Sequence, residues 1–99
     1  MASRKVSLSV NGSPVELDYF IEGFIDHTMA GMLAGLKSTG EIKNLEISID
    51  GDKVKIILND NNIPLSPFPS SIIRSTIAGM VSPLKGVGEI NKVTIQIKR

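Results

Sequence analysis

The stretch Lys5-Val6-Ser7-Leu8-Ser9-Val10-Asn11 returns later in the chain as Lys53-Val54-Lys55-Ile56-Ile57-Leu58-Asn59. In both copies apolar residues alternate, Val6, Leu8, Val10 and then Val54, Ile56, Leu58, which is the period of a half-buried strand. Working outward, a shift of 48 residues aligns 5–49 with 53–97 without a gap. Seventeen of the 45 aligned pairs are identical, against roughly 3 expected from residue frequencies. The chain therefore reads as a tandem duplication within one domain spanning residues 1–99, with internal repeats 5–49 and 53–97.

Each repeat has the same local grammar. A turn rich in residues that tolerate left-handed backbone follows the first strand, Asn11-Gly12-Ser13-Pro14 in one copy and Asp60-Asn61-Asn62 in the other. Asp18 and Ser66 are natural helix N-caps, with Pro67 at the favoured first helical position. The helices are expected to run to Lys37 and Lys85, each with a glycine shortly beyond. A second strand follows, Leu45-Ile47-Ile49 or Val93-Ile95-Ile97 on its apolar side, and Asp50-Gly51-Asp52-Lys53 between the repeats is a hairpin signal.

The predicted fold class is α+β, a ferredoxin-like βαββαβ sandwich. Its antiparallel sheet has the four strands, numbered in chain order, arranged 4-1-3-2 with both helices on one face. In the alternative, residues 15–17 and 63–65 are true strands and the chain is two ββαβ units. On a helical wheel Ile21, Phe24, Ile25, Thr28, Met32 and Leu36 share an arc, repeated by Ile72, Ile73, Thr76, Met80 and Leu84, and this arc is expected on the sheet. Beside it run the small residues Gly23, Ala30, Gly31 and Ala34. Gly31 and its repeat partner Gly79 are expected where the two helices cross, since mid-helix glycine costs about 1 kcal/mol that close packing must offset.

Composition narrows the function. Eleven basic and ten acidic residues give a net charge of +1, so no strong positive field points to nucleic acid. The absence of cysteine removes disulfides, thiolate metal sites and a thiol nucleophile. No signal peptide follows Met1, and the apolar stretch from Phe20 to Leu36 is broken by Glu22, Asp26 and His27, so neither export nor a membrane span is expected and the default location is cytoplasmic.

Candidate chemistry is sparse. His27, the one histidine, sits beside Asp26, but adjacent helical residues diverge by about 100°, so that carboxylate cannot orient it. Gly31-Met32-Leu33-Ala34-Gly35 lies within a helix and cannot cradle phosphate. Gly40-Glu41-Ile42 and Gly88-Glu89-Ile90 repeat as helix stop, solvated acid and core anchor, and the two turns before the helices read as ordinary capping rather than anion sites. No catalytic, cofactor-binding or metal-binding residue is assigned, and no cofactor is expected.

The fragments Val10-Asn11-Gly12, Pro64-Leu65-Ser66-Pro67-Phe68 and Thr76-Ile77-Ala78-Gly79-Met80-Val81-Ser82-Pro83-Leu84-Lys85-Gly86 resemble a set of short prokaryotic proteins of unknown function, in which the halves read VNG…PLNPF…GMVSSLKG. The resemblance covers most of the chain but implies no activity or binding residues. Glu16-Leu17-Asp18-Tyr19 departs from the Pro-Leu-Ser/Asn-Pro form.

The expected function is a small non-enzymatic interaction or assembly module, self-associating as a homodimer, with a protein partner also possible. The alternative is a metabolite-sensing regulatory domain that holds a small ligand at a subunit interface. The open sheet face is the candidate interface, through Ser7, Ser9, Ser48, Lys55, Ile57, Thr94 and Gln96, a low-charge patch with an apolar centre at Ile57. Pairing through an exposed edge at the second or fourth strand is the other route.

Overall fold

The computed structural model describes residues 5–35, 42–84 and 87–99. The elements are β1 (Lys5–Val10), β2 (Ser13–Val15), α1 (Tyr19–Gly35), β3 (Asn44–Asp50), β4 (Lys53–Leu58), β5 (Asn61–Ile63), α2 (Pro67–Val81) and β6 (Lys92–Lys98). The strands form one antiparallel sheet in the order β2-β1-β6-β3-β4-β5. One face packs beneath the two helices; the other is open.

The α+β class holds, but the order 4-1-3-2 does not. The four long strands β1, β3, β4 and β6 run β1-β6-β3-β4, so the central pair is the last strand of each repeat. The cause lies in the two short strands. β2 folds back on β1 and β5 on β4, and each hairpin uses one edge of its long strand. With one edge taken, β1 and β4 cannot sit between two long partners, and β3 and β6 fill the centre. The element order is that of two ββαβ units, with the short strands two residues earlier than 15–17 and 63–65.

Both hairpins turn through backbone that only a few residues tolerate. Asn11 and Gly12 have φ of 52° and 83°, and Asn59 and Asp60 have 49° and 69°. Two successive positive φ values in a two-residue loop are the type I′ geometry whose twist matches the flanking strands. The registers repeat as the sequence does. Leu8 opposes Val15 as Ile56 opposes Ile63, and Val6 opposes Ile97 as Val54 opposes Ile49, each related by the 48-residue shift.

The asparagines lock this arrangement. Asn11 Oδ1 accepts from the backbone N–H groups of Asn91 and Lys92, both at 2.8 Å, and Asn59 Oδ1 accepts from those of Lys43 and Asn44, both at 2.9 Å. Each repeat's hairpin thereby fixes the start of the other repeat's last strand. The sheet is shared: β6 lies between β1 and β3, so the first repeat's own long strands never touch.

The helix starts follow their caps unevenly. Asp18 Oδ1 accepts from Ile21 N–H at 2.8 Å. Ser66 occupies the N-cap of α2 without a side-chain cap bond, because the third helical position, which a capping oxygen usually reaches, is Pro69 and has no N–H. α2 ends at Val81, ahead of Pro83 and short of the expected Lys85. Leu36, Lys37, Gly40, Glu41 and Lys85 lie outside the described residues.

The buried helical arc is rotated from the expected one. α1 buries Ile25, Asp26, Met29 and Leu33, and α2 buries Ile73, Ile77 and Val81. They close over Val6, Leu8, Leu45, Ile47, Ile56, Val93, Ile95 and Ile97 from the sheet. Phe24 and Ile72, assigned to the core by the wheel, are exposed. Gly31 and Gly79 do not form a helix crossing: both are exposed, and a Cβ at either would meet no atom within 4 Å. α1 packs on β1 and α2 on β4, with two strands between.

Candidate functional site

The molecule is a slab of 37 × 33 × 19 Å whose two broad faces differ in chemistry. On the open sheet face, alternation places all seven expected interface residues together. Together with Glu46 they form two rows across the strands, Ser7-Gln96-Glu46-Ile57 and Ser9-Thr94-Ser48-Lys55. Gln96 Nε2 donates to Glu46 Oε1 at 3.1 Å, and Ile57 is half-buried beside them.

Complete strands add a frame that those seven residues lack. Lys5 and Lys98 stand opposite each other at one end of the face, and Lys92, Asp50 and Lys53 form a row at the other. With Lys55 and Glu46, the long strands present five lysines against two acids there. Lys92 reaches Asp50 at 3.9 Å; among the described residues Lys5, Lys53, Lys55 and Lys98 form no ion pair. Like charges opposed on a ladder are unfavourable, and Lys5–Lys98 is such a pair.

The helical face carries what sequence reasoning missed. The chain has one tyrosine, three phenylalanines and no tryptophan, and all four rings are exposed here: Tyr19 at 83%, Phe20 at 70%, Phe24 at 52% and Phe68 at 74%. Phe20 and Phe24, one turn apart, touch with ring centroids at 6.1 Å. The repeat puts Phe68 and Ile72 at the matching places on α2. A shallow hollow on α1 is lined by Tyr19, Phe20, Gly23, Phe24, His27 and Thr28. The available signal was the i, i+4 spacing Phe20–Phe24 with its echo at Phe68–Ile72, which marks a stripe as clearly as the core arc does.

The remaining candidates separate. His27 is exposed, whereas Asp26 turns inward and accepts from Arg99 Nη2 at 2.7 Å and Nε at 3.2 Å. The two neighbours diverge as helical geometry requires. Gly88 and Glu89 are exposed in the segment before β6, where the Glu89 carbonyl accepts from Asn11 Nδ2 at 2.6 Å. The turns at Asn11 and Asn59 lie at hairpin tips, separated from the helix starts by β2 and β5.

The edge route to pairing changes as well. The second and fourth long strands, β3 and β6, are central, and the sheet edges are the three-residue β2 and β5. Short edges, with Pro14 in one and Pro64 following the other, are poor templates for a further strand. No group of three or more His, Asp or Glu side chains that could hold a metal occurs among the described residues. No helix there is long and apolar enough to cross a membrane. No family model, curated protein or solved structure matches the chain.

Proposed function

We propose that this protein is a small non-enzymatic assembly module that self-associates, with its helical face as part of the contact. The observation that carries the reading is the exposure of every aromatic side chain on one face of a chain whose aliphatic residues are well buried. Exposed aromatic side chains gathered like those at the start of α1 mark interaction surfaces. Magnitude supports it: fully burying one such side chain contributes about 1.5–3 kcal/mol. The three rings at the start of α1, about 4.5–9 kcal/mol together, are comparable to the roughly 4–15 kcal/mol that association costs in lost freedom. Binding between copies is then moderate, reversible and dependent on concentration.

The test is a pair of substitutions at positions that leave the core alone. Phe20→Asp with Phe68→Asp keeps the folded state, because both rings are largely solvated, and abolishes association. An undisturbed assembly in that variant would move the contact off the helices.

The hollow around Phe24 and His27 favours one second reading, a small apolar ligand held at the subunit contact. A metabolite that raises the unfolding temperature of wild type but not of Phe24→Asp would support it.

A further inference from the structure

We infer that copies of this chain stack head to tail, the aromatic helical face of one seated on the lysine-framed sheet face of the next. This rests on the self-association proposed above and names its partner surface. The carrying observation is the opposite charge of the open sheet face and the aromatic end of α1. The open sheet face of the long strands holds five lysines and two acids. The aromatic end of α1 holds Glu16, Asp18 and Glu22 among residues 16–24, with no lysine or arginine in that segment.

Symmetric alternatives place like on like. A twofold contact that sets the aromatic end of α1 on its own copy would bring acids to acids, and a contact between sheet faces would oppose two sets of lysines. Like charges brought together in an interface are strongly unfavourable, whereas opposite potentials steer and fix the pairing. The head-to-tail contact, by contrast, sets the acids of α1 against the lysines of the sheet face. The surfaces also suit each other physically. Lysine stems are apolar and lie well along aromatic rings, their ammonium groups attracted to ring faces and to the nearby carboxylates. A 37 × 33 Å face is ample for the roughly 800 Å² per partner of an ordinary stable interface. Because the two faces lie on opposite sides of a slab 19 Å thick, the contact does not close on itself and the stack grows open-ended.

The test is complementation between two variants of the full chain, followed by sedimentation, with circular dichroism confirming that each is folded. Phe20→Asp/Phe24→Asp spoils the helical face, and Lys55→Glu/Ile57→Asp spoils the sheet face, leaving two acidic faces that cannot pair with each other. Each variant alone is expected to be monomeric where wild type associates, a loss of at least about tenfold in affinity. Mixed in equal amounts, the two form a one-to-one heterodimer through the remaining good faces and grow no further. A mixture that stays monomeric, or a variant that associates alone as wild type does, overturns the head-to-tail contact. A monomeric wild type instead overturns the self-association on which it rests.

Discussion

Ile47 of β3 lies directly opposite Ile95 of β6, and the two are each other's partners in the 48-residue repeat. The pseudo-twofold relating the repeats therefore passes through this pair, at the centre of the sheet. Both are almost fully buried, at 1% and 0% exposure. Ile47→Ala and Ile95→Ala should each cost about 2–5 kcal/mol, the usual range for emptying a core isoleucine. Chemical denaturation should give similar losses for the two; a large inequality would mean that the repeats do not share one core.

Asn11 and Asn59 make the same pair of backbone bonds in opposite halves while sitting at positive φ. Two effects are combined there, and substitution separates them. Asn11→Gly keeps the backbone freedom and loses only the side-chain bonds, for about 1–3 kcal/mol. Asn11→Ala adds the strain of left-handed backbone, about 1 kcal/mol more. If the glycine variant unfolds at the wild-type denaturant midpoint, the side-chain bonds do not hold β6 in place.

Arg99 reaches Asp26, which is 3% exposed, from the end of β6 and so ties α1 to the centre of the sheet. Position 74, the repeat partner of Asp26, is an arginine, so this tie breaks the internal symmetry. A double-mutant cycle with Asp26→Ala and Arg99→Ala should return a coupling energy of about 1–3 kcal/mol. Strict additivity would show that the contact contributes nothing to stability.

Gly31 and Gly79 sit in helices with open space where a Cβ would be. Gly31→Ala and Gly79→Ala should therefore each stabilise the fold by up to about 1 kcal/mol through helix propensity. Destabilisation at low protein concentration would restore a close packing partner at these positions.

The repeat, the hairpin between its halves and the alternation of every long strand were legible in the sequence, whereas the turns read at 11–14 and 60–62 are the tighter loops 11–12 and 59–60, with Ser13, Pro14, Asn61 and Asn62 in β2 and β5. Period-2 patterning and turn chemistry are local, and each long strand has one wet face. The strand order was not, because it is decided by a competition for edges. Whether Ser13–Val15 pairs back on β1 depends on three residues with little patterning, yet that pairing sends β1 outward and β6 inward. The helical arc failed for a different reason. α1 is apolar on two sides, with Phe20 and Phe24 outside and Ile25, Met29 and Leu33 inside, so a wheel cannot tell core from contact. The residues of the open face were found because the alternation was right. Its lysine frame was missed because the strands extend by one residue pair at each end.

The central claim is that this chain associates with itself, and sedimentation of the wild-type protein over a concentration series tests it most directly. The account predicts an average mass that rises with concentration, continues past two protomers and falls back as added salt screens the charged faces. A single monomeric boundary up to high micromolar concentration would contradict it.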